Sequence, residues 1–172
     1  MPNHLSPLGI IHTAVSILAL FAAFYCLFKD GRILPQNDRG KLYIVLTIVT
    51  CLTAFPIMKT GHFTGAHGLG VLVLVLLPLG MYANYIKFFG KAAEYFQVAI
   101  MSTTLFLSFI PAIVETLTRL PISHPIAVGP NDVIIKTGLL TLFLLFILGV
   151  VYQLRKIRTS QKAITAANGT MC

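Results

Sequence analysis

VLVLVLLPLG, residues 71–80, contains no polar side chain and lies inside a longer apolar run. Its branched residues favour a strand in water, but a backbone that crosses a membrane must satisfy its own hydrogen bonds, which favours a helix. A spanning strand also needs only about 10 residues of alternating polarity, whereas the apolar run here is continuous. The stretch therefore predicts a transmembrane α-helix.

The composition of the whole chain supports the same fold class. Of its 172 residues, 56% are hydrophobic and 10% are charged, with a mean hydropathy of +0.85; soluble domains carry about 25% charged residues. A spanning helix needs about 20 apolar residues, and five segments qualify: roughly 8–28, 41–59, 66–86, 94–117 and 133–153. We predict an all-α bundle of five transmembrane helices in one domain over residues 1–158, embedded in the lipid bilayer, with a flexible cytoplasmic tail over residues 159–172.

The basic residues predict the orientation of this bundle. Ten of the 13 follow predicted helices one, three or five: Lys29, Arg32, Arg39, Lys41, Lys87, Lys91, Arg155, Lys156, Arg158 and Lys162. Only Lys59, Arg119 and Lys136 fall on the other side. Because basic loops stay cytoplasmic, we expect a multi-pass protein of the cell inner membrane with its N-terminus outside and its C-terminus in the cytoplasm. The net charge of +8 then reflects topology, and no nucleic acid partner is expected.

All histidines fall on the predicted extracytoplasmic side. They are His4, His12, His62, His67 and His124. Histidine titrates near pH 6.5 and is the commonest metal ligand, and ionisable groups within spans are candidate functional sites. The five-residue spacing of His62 and His67 does not place them on one helical face. We expect His67 to be buried and His62 exposed, and we expect His124 to lie in a loop.

Three ionisable side chains are predicted to meet just below the outer surface. His12, His67 and Glu115 lie about equally deep on helices one, three and four. The glycines around His67, at positions 65, 68 and 70, would let a flat group approach the backbone. Glu115 and Arg119 are four residues apart, which favours an ion pair.

Polar and small residues form one stripe on helix one and another on helix four, and both are expected to face the bundle interior. The first consists of His12, Ser16, Ala19, Ala23 and Cys26. The second consists of Gln97, Thr104, Ser108, Pro111, Glu115 and Arg119.

Residues 8–121 resemble a family of prokaryotic membrane proteins, the domain of unknown function 2306. The resemblance is carried by an ordered set of positions: His12, Gly31 with Arg32, Gly40 with Tyr43, His67, and Glu115 with Arg119 and Pro121. The chain departs from the family pattern at "PQNDRG", residues 35–40, where a histidine-containing basic motif is expected. The resemblance implies a fold and candidate positions, and it implies no reaction.

Three functions follow from these residues. In the first, His12 and His67 ligate a b-type haem whose propionates pair with Arg119 or Lys59, for electron transfer with quinol. In the second, a non-haem Zn or Fe site for catalysis in the membrane uses His12, His67 and Glu115, with His62 or His124. In the third, the chain is a small transporter or accessory subunit without a cofactor. The polar stripes of helices one and four then line a path or bind a partner, and the histidines either carry protons or have no role. An odd helix number disfavours an inverted repeat in that case unless the chain forms a homo-oligomer.

Overall fold

A computed structural model of the chain describes residues 6–57, 64–121 and 123–169. This part is all-helical, with five α-helices: α1 (Pro7–Asp30), α2 (Asp38–Ala54), α3 (Gly65–Tyr82), α4 (Ala93–Arg119) and α5 (Val133–Gly169). Two short 3₁₀ turns, Ala83–Tyr85 and Lys87–Ala92, join α3 to α4. The all-α fold class and the five-helix order are confirmed.

Four of the helices are long and apolar enough to cross a membrane, namely α1, α3, α4 and α5. The chain is thus a multi-pass membrane protein by the length and composition of its helices. The exception is α2, whose 17 residues fall short of the roughly 20 that a straight span needs. It begins at Asp38 and ends at Ala54, whereas we predicted residues 41–59. The helix begins earlier than predicted because Asn37 caps it, with its Oδ1 accepting a hydrogen bond from the Gly40 amide at 2.7 Å.

Helices α1 to α4 form the packed part of the bundle. α1 packs chiefly on α2, α2 on α3, and α3 on α4, while α1 touches α4 at only a few points. The core between them includes Ala23, Cys26, Tyr43, Leu77 and Met101, all almost completely buried. The surface of the bundle carries many exposed large apolar side chains, which is the composition of a surface that faces lipid.

Helix α5 packs against α4 alone among the helices. Ser102 of α4 and Gln153 of α5 hydrogen-bond to each other, and Phe106 stacks on Phe146 with ring centroids 4.7 Å apart. α5 also continues to Gly169, past its predicted end at residue 153 and into the segment predicted as a tail, of which residues 170–172 lie outside the described part. No proline interrupts residues 154–168, and Ile157, 4% exposed, continues the packed face of the helix.

Asp132 caps the start of α5 and also bonds to the backbone of the loop between α4 and α5. Its Oδ1 accepts from the Ile134 amide at 3.0 Å and its Oδ2 from the Val128 amide at 3.1 Å. These two backbone donors hold the pKa of Asp132 below its usual range. The side chain therefore fixes the start of α5 while it is ionised.

This cap predicts a pH dependence of stability. Because the pKa of Asp132 is lower in the folded state than in the unfolded state, its contribution is complete above the unfolded value of about 4 and is lost as the pH falls through the folded value. On going from about pH 5.5 to about pH 3, the wild type should lose more thermal stability than Asp132→Asn. Circular dichroism melting in detergent at the two pH values checks this, and equal losses would contradict it.

Candidate functional site

The two ends of the bundle differ in chemistry. We call one the histidine end: it holds the starts of α1, α3 and α5 and the ends of α2 and α4, and every described histidine lies there. The other, the basic end, holds the opposite helix termini and the basic loops. His4, His62 and Lys59 lie outside the described residues, and His124 is an exposed loop residue, as predicted.

His12 lies in the second turn of α1 and is partly buried. Its Nδ1 lies 3.0 Å from Thr53 Oγ1 of α2. The Thr53 hydroxyl also lies within hydrogen-bond distance of two backbone carbonyls, Val49 O at 2.8 Å and Thr50 O at 3.0 Å. When that hydroxyl donates to either carbonyl, Nδ1 of His12 is the donor to Thr53, the proton of the neutral ring lies on Nδ1, and the lone pair lies on Nε2.

Glu115 is the acidic side chain that acts electrostatically on His12. It forms an ion pair with Arg119 one turn later in α4, which confirms the predicted pair. It also lies within electrostatic range of His12. A base and a carboxylate from two helices thus influence each other electrostatically at the histidine end, and the Arg119 side chain that pairs with the carboxylate is 23% exposed.

His67 is used differently. It is the third residue of α3, where its Nδ1 accepts the Thr64 amide proton at 3.1 Å and lies 2.8 Å from Thr64 Oγ1. This reciprocal cap begins α3, and the ring stacks against Phe55 with centroids 6.2 Å apart. His67 is 4% exposed, so its predicted burial is confirmed. Because Nδ1 accepts a proton, the neutral ring carries its hydrogen on Nε2.

This arrangement bears on the predicted cofactors. A haem iron held between two imidazoles needs a free lone pair on each ligating nitrogen. Nε2 of His12 has one when Nδ1 donates to Thr53. Nε2 of His67 carries the hydrogen of the neutral ring while Nδ1 caps α3, so its lone pair becomes free only if that cap is broken. Helices α1 and α3 also do not pack against each other. Within residues 6–57, 64–121 and 123–169, no three His, Cys, Asp or Glu side chains are grouped to hold a metal ion. Binding of a haem or of a non-haem metal ion by these residues stays a prediction.

The glycines near His67 leave open space. A Cβ added at Gly65, Gly68 or Gly70 would meet no atom of the described residues within 4 Å. Among the described residues, therefore, nothing fills the space beside the backbone next to His67.

Sequence reasoning missed a polar face on α2. Tyr43, Thr47, Thr50 and Thr53 recur every three or four residues and so lie on one side of that helix. The Tyr43 hydroxyl is 2.9 Å from Thr104 Oγ1 of α4, and Thr104 in turn donates to Met101 O. We call Tyr43, Thr47, Thr50 and Thr53, together with Thr104 and Ser108 of α4, the hydroxyl row. The spacing was visible in "YIVLTIVTCLT", residues 43–53, but hydroxyl residues are unremarkable in a span until their partners are known.

Thr50 is the one member of the hydroxyl row with an unmet hydrogen bond. Its Oγ1 is buried and has no partner in the described part of the chain. Buried hydroxyls normally bond to protein or to ordered water. The Thr50 carbonyl also faces the His12 ring, so this part of the row adjoins the histidine end.

A second polar network lies at the basic end. Arg32 Nη1 pairs with Glu94 Oε1 at 2.5 Å, and the other oxygen of Glu94 accepts from Gln161 Nε2 at 2.7 Å. The Tyr95 hydroxyl donates to Gln161 Oε1 at 3.1 Å. These bonds tie the loop after α1 to the start of α4 and to the extension of α5. No sequence pattern pointed to them, because the partners are more than 60 residues apart.

The chain matches no protein family model, no curated protein and no solved structure. The resemblance to the domain of unknown function 2306 stays a prediction, and function rests on the geometry of the chain itself.

Proposed function

We propose that this chain is a small proton-translocating protein of the inner membrane, acting as a transporter or as the proton-handling subunit of a larger assembly. His12 and Glu115 take up the proton on the extracytoplasmic side, and the hydroxyl row carries it towards the basic end. The orientation, with the N-terminus outside, rests on the distribution of basic residues.

The observation that supports this proposal best is the hydrogen bond between His12 of α1 and Thr53 of α2. With Nδ1–H directed at Thr53 and the lone pair at Nε2, the ring accepts a proton on one nitrogen and releases one from the other. Imidazole is suited to such a shuttle because its two nitrogens are distinct and its pKa is ordinarily near neutral pH.

Glu115 supplies the charge that this exchange needs. Its carboxylate stabilises a protonated His12 across the gap between α1 and α4, and Arg119 balances the same carboxylate when His12 is neutral. The cluster therefore alternates between two charge states without leaving an isolated buried charge, which would be costly in a membrane.

The hydroxyl row provides the onward route. Its α2 members are one helical turn apart, about 5 Å along the axis, and Tyr43 lies about 15 Å from Thr53. Hydroxyl groups both donate and accept, and a gap of one turn is bridged by one water molecule. Beyond Tyr43, Gln97 is buried and bonded to Gly80 O and to Asn84, which continues the polar interior towards the basic end.

Proton flux in liposomes tests the proposal. Purified protein is reconstituted with an internal pH dye, a potassium gradient is applied with valinomycin, and the rate of internal pH change is compared with that of empty liposomes. We expect a flux that depends on the protein. Equal rates with and without protein would remove the proposal.

A haem or metal protein remains the second candidate, because a hydrogen bond at Nδ1 that leaves Nε2 free is also the arrangement of a ligating histidine. His12 would be the ligand, and haem would supply electron transfer from quinol. An absorption spectrum and a metal analysis of the same preparation separate the candidates. We expect a colourless, metal-free protein; a Soret band that is lost in His12→Ala would support haem instead.

Tyr43→Phe tests the hydroxyl row. This variant loses the bond between the Tyr43 hydroxyl and Thr104 Oγ1, and the loss should lower the free energy of unfolding by about 1 kcal/mol. Proton flux should also fall several-fold, which is more than the small loss of folded protein caused by this destabilisation would produce. Tyr152→Phe is the control, because Tyr152 is 64% exposed on α5. Wild-type flux in Tyr43→Phe would show that protons do not pass this residue.

A further inference from the structure

The cytoplasmic extension of α5 carries cations past the apolar part of the helix. From Val133 to Tyr152 the helix is already about 30 Å long, which equals the hydrocarbon thickness of a bilayer. Arg155, Lys156, Arg158 and Lys162 follow directly, so they lie at the level where lipid headgroups begin.

The packing of α5 directs these cations outward. Gln153, Ile157 and Gln161 are spaced by four residues and form the inward face: Gln153 bonds to Ser102, Ile157 is buried, and Gln161 bonds to Glu94 and Tyr95. The four cations occupy the rest of the circumference and are exposed. Lys156 Nζ reaches Gly31 at the end of α1, which leaves Arg155, Arg158 and Lys162 facing the surroundings.

Within the described residues, no acidic side chain forms an ion pair with these three cations. It contains five acidic side chains, and each has a described partner elsewhere. Asp30 pairs with Arg39, Asp38 with Lys41, Glu94 with Arg32 and Glu115 with Arg119, and Asp132 caps α5. Three like charges within about two helical turns repel one another unless anions are supplied from outside.

We propose that Arg155, Arg158 and Lys162 form a binding surface for the headgroups of anionic phospholipids at the basic end. The position of the cations favours lipid over a soluble acidic partner, because they begin within one turn of the exposed ring of Tyr152, an interfacial anchor. Arginine and lysine at this level attract anionic headgroups. The inference is independent of proton translocation.

The absence of tryptophan allows a local measurement. Tyr152→Trp places a single fluorophore beside the three cations, and brominated phosphatidylglycerol or brominated phosphatidylcholine quenches it on contact. The ratio of the two quenching curves gives the preference for anionic lipid at this position. Adding Arg155→Gln, Arg158→Gln and Lys162→Gln should reduce that preference by about fivefold per cation, on the order of a hundredfold in total.

A matched control separates a local surface from overall charge. Lys29→Gln, Lys87→Gln and Lys136→Gln in the Tyr152→Trp background remove the same net charge from other positions, and the preference at residue 152 should stay within a few-fold of the unsubstituted reporter. Melting in phosphatidylcholine confirms that both triple variants are folded. An equal decrease in the two triple variants, or no decrease in the α5 variant, would overturn the inference.

Discussion

Liposomes carrying His12→Gln are expected to show proton flux roughly a hundredfold below the wild type, the size of effect typical for loss of a positioned acid–base group. Glutamine has a similar reach, and its amide can still donate to Thr53 Oγ1, so the contact between α1 and α2 is retained. It cannot take up a proton at neutral pH. The initial rate of internal pH change after the valinomycin pulse measures the effect.

The control for His12→Gln is Lys136→Gln, which removes a charge from an exposed residue at the same end of the bundle. Its flux should equal that of the wild type, and both variants should melt within a few degrees of it. If His12→Gln is folded and conducts protons like the control, His12 is not the uptake site, and its bond to Thr53 serves only to pack α1 on α2.

The ion pair between Glu115 and Arg119 allows a sharper comparison. Glu115→Gln leaves Arg119 without its partner in α4. A loss of flux in this single variant could therefore come either from the unbalanced charge of Arg119 or from the loss of the carboxylate that stabilises protonated His12. The double variant Glu115→Gln with Arg119→Gln removes both charges. If Glu115 only balances Arg119, the double variant recovers flux; if Glu115 stabilises protonated His12, the flux stays low in both variants.

The sequence predicted those features that depend on neighbouring residues. Helix positions follow from apolar runs, and the pair of Glu115 with Arg119 follows from a spacing of four residues. The burial of His67 was also predicted correctly. Its role as a cap was not, because an imidazole at the third helical position gives no pattern that distinguishes it from a ligand facing the bundle interior.

The remaining features depend on contacts between distant segments. Tyr43 and Thr104 are 61 residues apart, and Glu94 and Gln161 are 67 apart. Neither pair follows from periodicity, since a hydroxyl or an amide in a span can bond to its own backbone or to any adjacent helix. The length of α5 was missed for a related reason. A polar helix that follows an apolar span has no hydrophobic signal, and its packed face consists of one isoleucine between two glutamines.

Gly40→Ala is expected to destabilise the protein more than any other single methyl addition among the described glycines. Gly40 lies in the first turn of α2, and a Cβ there would be 1.8 Å from the carbonyl oxygen of Leu34, because the preceding loop crosses directly over it. The obstacle is backbone and cannot rotate away, unlike the Met101 side chain beside Gly80. Overpacking commonly costs 1–3 kcal/mol, and we expect at least about 3 kcal/mol here. Unfolding titrations in mixed detergent micelles measure the change.

Gly68→Ala is the matched control for this loss. Gly68 is also helical and has nothing within 4 Å of an added Cβ, so alanine should raise the stability by up to about 1 kcal/mol through its higher helix propensity. If the free energy of unfolding falls for Gly40→Ala and rises for Gly68→Ala, the role of Gly40 is to let the Leu34 carbonyl approach closely, and the loss is not a general effect of replacing a helical glycine. A neutral Gly40→Ala would mean that the loop over residues 31–37 can shift, and with it the start of α2 and the position of Tyr43. The hydroxyl row would then lose the fixed end on which its route depends.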